Sequence, residues 1–305
     1  MDFGFSVPSG GINATPETIA RLAQHGEELG FAYIGIPDHI VIPNNVESRY
    51  PYSKDGTFSG SGYILDQLAV ASFIAAQTSK ARILTSVLVL PHRSAVLTAK
   101  MLASIDVLSH GRLTVGCGVG WLREEFEAIG APAFDERGFV ANEYIACFKE
   151  LWTKNNPSFD GDHIQFSDII FEPKPTQKPH PPIWIGGESP AALRRAAELG
   201  DGWYPLGSNP RFPIQTAEQL SNALEKIYRY GEKADRDFTK FDLAYSSPTG
   251  FTGTTDQIVG NIRAFKAVGV QHLMVNLGAT FSDPVSATIE SMERFASEIA
   301  PQVNS

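Results

Sequence analysis

The feature that most restricts the fold of this 305-residue chain is an alternation kept up from end to end, in which short β-branched runs are followed by longer amphipathic stretches. The strand candidates are Phe3–Val7, Tyr33–Ile36, Arg82–Val89, Arg112–Gly116, Pro182–Gly186, Gly202–Pro205, Leu243–Ser247 and His272–Leu277. The matching helix candidates are Pro16–Leu29, Ile64–Thr78, Ala95–Leu108, Val140–Lys154, Pro190–Leu199, Thr216–Lys233, Asp256–Val268 and Val285–Ile299. Thr15 before Pro16 and Ser189 before Pro190 read as N-cap then first helical residue, and Gly30, Gly111 and Gly200 as C-terminal caps. Strands apolar on both faces need a parallel sheet covered by helices, and eight is the number that closes into a barrel. An open doubly wound sheet is the alternative. It usually carries a GxGxxG turn after its first strand, whereas here Val7 is followed by Pro8, Ser9, Gly10 and Gly11. The expectation is an α/β (β/α)8 TIM barrel in one domain spanning residues 1–305. Length alone does not decide, since about 150 residues per domain would also allow two.

Two connections exceed ordinary βα loops. Pro37–Tyr63 carries Tyr50, Tyr52, Phe58 and Tyr63 and reads as an ordered aromatic lid; Asn155–Pro181 contains a segment, Ser158–Glu172, that alternates around Gly161 like a small hairpin inserted between the fourth and fifth strands. A net charge of −9, with no stripe of Lys or Arg, argues against nucleic acid as a partner. No apolar run approaches the roughly 20 residues of a membrane span, and Met1–Gly10 lacks the pattern of a secretory leader. Cys117 and Cys147 form neither a disulfide framework nor a zinc spacing, so the cytosol is the expected compartment.

In a barrel the reactive residues gather at the carboxyl ends of the strands. Asp38 and His39 follow the second strand: a histidine there can exchange protons and a carboxylate can orient it or bind a cofactor, or the pair can be a loop cap and a packed aromatic ring. Gly116–Gly120 reads GxGxG, which admits a flat ring or a phosphate, or simply makes a tight turn. Gly186 and Gly187 lead into the helix N-terminus at Ser189, a natural anion site, although Glu188 would repel an anion if it pointed inward, and ordinary caps look the same. Seven scattered histidines, with neither HxH nor HExxH, give no metal site. No GxSxG elbow is present, and Cys117 is more simply a small hydrophobe at the rim than a nucleophile.

The run PHRSAVLTAKMLASIDVLSHGRLTVGCGVG (Pro91 to Gly120) closely resembles the hallmark segment of the bacterial luciferase-like monooxygenase superfamily. ELGFAYIGIPDH, WLREEFEAIGAP, PPIWIGGESPAALRRAAELGDGWYP and GTTDQIVGNIRAFKAVGVQHLMVNLG extend the likeness over nearly the whole chain. The resemblance implies a (β/α)8 barrel with an insertion, binding FMN or the deazaflavin coenzyme F420 in its mouth, and it leans to the F420-dependent oxidoreductase branch.

On that likeness Asp38 bonds to the deazaflavin and His39 handles the proton. Ser86 and Val87 match a bulge whose non-prolyl cis peptide backs the central ring. Gly118, Gly120, Gly186, Gly187 and Ser189 match the loops that hold the phosphate-bearing tail. One departure stands out: sugar-phosphate dehydrogenases of the branch carry an acidic Glu after the third glycine, where this chain has Trp121. That makes sugar phosphates doubtful and suggests a flatter, more apolar substrate against Trp121, unless that ring merely packs the lid. The resemblance thus implies hydride transfer between F420 and a small organic substrate, with an FMN-dependent monooxygenase using reduced flavin and O2 as the alternative; a separate flavin or F420 reductase is the expected partner. A barrel that binds a flavin-like ligand without turnover is a third reading. The family's usual homodimer is the expected assembly.

Overall fold

The structure is a computed structural model describing all residues except 59, 61, 248–252 and 279–283. Ser59 and Ser61 of the first long connection therefore lie outside the described residues. In chain order the elements are β1 (Asp2–Ser6), α1 (Pro16–Glu28), β2 (Tyr33–Ile36), α2 (Gln67–Gln77), β3 (Arg82–Val89), α3 (Ala95–Leu108), β4 (Leu113–Gly118), α4 (Arg123–Ile129), α5 (Arg137–Thr153), β5 (Phe159–Asp160), β6 (Gln165–Phe166), β7 (Ile183–Gly186), α6 (Pro190–Leu199), β8 (Gly202–Tyr204), α7 (Ala217–Lys233), β9 (Asp242–Ser247), α8 (Thr255–Ala267), β10 (His272–Val275), α9 (Val285–Arg294) and α10 (Ala300–Asn304).

Eight strands, all parallel, close into a barrel in the order β1, β2, β3, β4, β7, β8, β9, β10, with β10 paired back to β1. The chain is the (β/α)8 barrel that its eight alternations predict. Alternate residues of each strand face in or out. Outward, Ile34, Ile83, Val115, Ile183, Ile185 and Leu273 meet the helices; inward, Tyr33, Leu84, Trp184, Tyr204, Ala244 and Met274 fill the barrel. The interior is thus packed, with Trp184 stacked on His272 at 5.0 Å and its indole N–H given to Asp242 at 2.9 Å. The short hairpin β5–β6 is antiparallel and lies within the expected insertion, where Glu143 of α5 accepts the N–H groups of His163 and Ile164.

Thr15 and Ser189 cap α1 and α6 through their hydroxyls, each accepting an N–H at 3.2 Å. Gly30 and Gly111 take the left-handed conformation that suits a glycine after a helix. Gly200 does not: its φ is −82°. It is glycine because a β-carbon would stand 2.8 Å from Ile185 and 3.0 Å from the Ala196 carbonyl.

Two further differences bear on the site. β4 continues to Gly118, so Cys117 is a strand residue, buried opposite Leu88 and Ile185. Burial pushes its thiol up to about 12, which suits a packing role and not a nucleophile. The second difference is α4, a helix beyond the eight expected ones, ended by Gly130 at φ +67°. Among the described residues no helix is long and apolar enough to cross a membrane.

Candidate active site

All eight strands of the barrel point their carboxyl ends at one rim, and the loops leaving that rim carry the polar residues of interest. After β2 the chain places Asp38 in a buried position at the end of β3. Its Oδ2 accepts the Val89 N–H and Arg93 Nη1, and its Oδ1 accepts Arg93 Nη2, all at 2.9 Å. The same guanidinium reaches Asp66 at 2.7 Å, and Asp66 caps α2 by accepting from Leu68 and Ala69. Burial would weaken the Arg93 charge, but the two carboxylates more than compensate and raise its pKa. Asp38 is therefore an ionic clamp as well as a rim residue, and it retains acceptor capacity on Oδ1 for one more donor.

His39, next along, has Nδ1 2.7 Å from Oε2 of Glu125 in the first turn of α4. Oε1 of the same carboxylate accepts the N–H groups of Ile40 at 2.7 Å and Val41 at 3.2 Å. Glu125 is fully buried. Burial opposes its ionisation, but the His39 hydrogen bond, the positive charge available on His39 and His92 and the Ile40 N–H outweigh it and hold the pKa below the usual range. His92 closes the far side, with Nδ1 3.9 Å from Glu125 Oε1 and its ring edge-on to Phe126 at 4.8 Å. Burial lowers the His92 pKa.

Glu125 is the residue that the reading of sequence missed. A signal was present: Leu122, Phe126 and Ile129 follow the i, i+4, i+7 stripe of a buried helix face, and Glu125 occupies the i+3 place on that stripe. A carboxylate there must find partners.

The Ser86–Val87 peptide is cis, and the β3–β4 ladder shifts register between Thr85 and Leu88, the bulge implied by the resemblance. Ser86 Oγ lies 2.9 Å from the hydroxyl of buried Tyr204. The Val87 side chain lies across the two following strands. A β-carbon on Gly118 would stand 2.6 Å from Val87 Cγ2, and one on Gly186 3.1 Å from Val87 Cγ1. Gly120 takes φ +82°, and a β-carbon there would strike Phe126 at 2.6 Å and Val89 at 2.8 Å. Packing thus bars a side chain at Gly118 and Gly120 and leaves little room for one at Gly186, so the Val87 side chain lies directly on the backbone of β4 and β7.

Aromatic rings form the wall. Trp121 meets Tyr50 at 5.0 Å and Phe58 at 5.1 Å, and Phe58 meets His39 at 5.3 Å. Across the rim, Gly187 takes φ +94° and its carbonyl accepts the Trp203 indole N–H at 2.9 Å, while the Ser189 hydroxyl is committed to capping α6. Glu188 turns inward. It accepts the Leu206 N–H at 2.7 Å, Asn209 at 3.1 Å and the Tyr52 hydroxyl. Burial pushes Glu188 up to about 7 despite those bonds, and burial with the Glu188 charge raises Tyr52.

The structure therefore brings Asp38, His39, Ser86, Val87, Gly118, Gly120, Trp121 and Gly186 to one rim, with Gly187 and Ser189 on its β7 side. A platform made by Val87 on glycine backbone, beside a half-buried imidazole held by a buried carboxylate, fits a flat tricyclic ring and proton exchange at its edge. Among the described residues no group of three or more His, Cys, Asp or Glu side chains is placed to hold a metal ion.

The profile of the family described as luciferase-like monooxygenase matches residues 1–296. An uncharacterized protein of Mycobacterium tuberculosis is 29% identical over 289 residues, covering 92% of this chain and 94% of that protein. The FMNH2-dependent dimethylsulfone monooxygenase of Pseudomonas putida is 39% identical over 191 residues, 62% of this chain but only 48% of that enzyme. Among solved structures, the monooxygenase RslO1 of Streptomyces bottropensis superposes with a TM-score of 0.79 at 21% identity over 99% of both chains. An F420-dependent secondary alcohol dehydrogenase bound to an F420–acetone adduct gives 0.76 at 17% identity over 99% of this chain and 98% of that one.

Proposed function

Because the chain belongs to the luciferase-like monooxygenase family, we propose that it is an oxidoreductase that transfers a hydride between coenzyme F420 and a small organic substrate. The observation that carries this reading is the His39–Glu125 pair, 2.7 Å apart at the rim. Interconverting a hydroxyl and a carbonyl moves one proton at oxygen for each hydride at carbon, so such a reaction needs a proton-handling group beside the ring. A bound deazaflavin would supply the site that accepts or donates the hydride. The protein's residues do the rest. Val87, with Gly118 and Gly186 beneath it, supports one face of the ring, and Gly187 with the N-terminus of α6 offers N–H groups to the phosphate of the tail. His39 holds or receives the proton, and Trp121 with Tyr50 and Phe58 excludes water and presents an apolar wall to the substrate.

The test is to titrate the protein with F420 and with oxidised FMN, following quenching of cofactor fluorescence, and then to screen secondary alcohols and ketones for F420 reduction or oxidation. Tighter binding of F420 and turnover with at least one alcohol or ketone is expected. Binding of FMN without F420 would overturn the reading in favour of a second one, a monooxygenase using reduced FMN and oxygen. That alternative is favoured by the 39% identity to the FMNH2-dependent dimethylsulfone monooxygenase.

A further inference from the structure

Glu125 uses its two oxygens differently. Oε1 is occupied by the backbone N–H groups of Ile40 and Val41, while Oε2 faces only His39 Nδ1 among the bonds it makes. An ionised carboxylate has no hydrogen to give, so the hydrogen in the 2.7 Å contact must belong to the imidazole. Two N–H donors already fixed on Oε1 occupy the positions where a carboxyl proton on that side would sit. The groups that face the carboxylate from other elements do not change this: His92 is buried, stays 3.9 Å away and is biased by burial toward its neutral form, and Arg93 is spent on Asp38 and Asp66.

The geometry points to Glu125 as a positioning residue that locks neutral His39 in the tautomer protonated at Nδ1, so that Nε2, on the opposite edge of the ring, is presented as a proton acceptor. The same lock gives the imidazolium a buried counter-charge once Nε2 has taken a proton. For the proposed hydride transfer the consequence is directional: Nε2 would take the proton of a substrate hydroxyl as that substrate is oxidised, and in reverse the imidazolium would return the proton to the carbonyl oxygen. This role rests on the proposed function; the state of the imidazole does not.

A single substitution inverts the arrangement. In Glu125→Gln the amide oxygen keeps the Ile40 and Val41 N–H groups, which places the amide NH2 toward His39 Nδ1. A donor then faces Nδ1, so the ring must accept there and carry its proton on Nε2. The experiment is nitrogen NMR of the cofactor-free protein labelled with 15N-histidine, at a pH where the ring is neutral, with His39 assigned by loss of its signals in His39→Gln. The wild type is expected to show a protonated Nδ1 and a bare Nε2, and Glu125→Gln the opposite pattern. A wild-type His39 protonated on Nε2 overturns the inference, and this measurement requires no variant at position 125. An unchanged tautomer in a folded Glu125→Gln protein overturns it as well. In turnover, Glu125→Gln is expected to lower kcat by about 10²-fold or more with KM changed less than about threefold, and Glu125→Asp to recover part of it. Should the tautomer be as stated while F420 fails to bind, the proposed function falls and the pairing stands.

Discussion

Arg93 grips Asp38 with both guanidinium nitrogens at 2.9 Å, in a pair whose two side chains are almost wholly removed from water. The resemblance assigned Asp38 to the cofactor, yet most of its acceptor capacity is held inside the protein. Removing one partner of such a pair leaves an uncompensated buried charge. Arg93→Met is therefore expected to lower stability by about 3–5 kcal/mol, and adding Asp38→Asn to restore most of the loss. Urea unfolding of the two single variants and the double variant checks this; additive losses would show that the pair is not the source.

Glu188 carries a second prediction. A carboxyl whose pKa rises on folding, here from 4.5 to about 7, binds its proton more tightly in the folded state than in the unfolded one. Its contribution is thus fully present below about pH 4.5 and is lost as the pH climbs through about 7. Relative to Glu188→Gln, the wild type should lose on the order of 3 kcal/mol between about pH 4.5 and about pH 8. Parallel stability curves for the two proteins across that range would refute the assignment.

The floor of the site is tested at Gly118. Gly118→Ala puts a methyl 2.6 Å from Val87 Cγ2 and should tilt that side chain out of the platform. Cofactor affinity is expected to fall about tenfold, or ~1.4 kcal/mol. Adding Val87→Ala removes the collision and should recover part of it, as read by fluorescence quenching. Equal affinity in Gly118→Ala and wild type would mean that the ring does not rest there.

His39→Ala is expected to leave F420 affinity within about threefold while turnover falls about 10²–10⁴-fold. Single-turnover reduction of the bound cofactor by an active alcohol measures the chemical step directly. An unaltered rate would remove His39 from the reaction.

Most of the barrel was legible because its strands and helices are separated by local signals: the apolar runs, the cap pairs at Thr15–Pro16 and Ser189–Pro190, and the glycines after α1 and α3. What local pattern could not supply was long-range pairing. Gly200 follows a helix like the others, but its reason is the approach of Ile185 from the neighbouring strand. Cys117 looked like part of a loop because glycines flank it, although the ladder to Leu88 and Ile185 keeps it in β4. Asp38 and His39 were visible as rim residues, but their partners lie 55 and 86 positions away, at Arg93 and Glu125. Glu125 was hidden for a further reason. A seven-residue helix gives little periodicity, and two consecutive glutamates read as solvent-facing until one of them is seen to occupy the buried stripe.

The neighbouring glutamates of α4 have a consequence for redesign. Glu125 holds the backbone at Ile40 and Val41, and Glu124 holds it at Glu47 and Ser48. Four backbone N–H groups of the segment over the barrel mouth thus borrow their acceptors from a helix some 80 residues downstream. Grafting a new mouth onto this scaffold would therefore require residues 37–63 and 121–130 to be exchanged together, as one cassette. A loop moved without its helix would arrive with unpaired N–H groups and a histidine without its carboxylate.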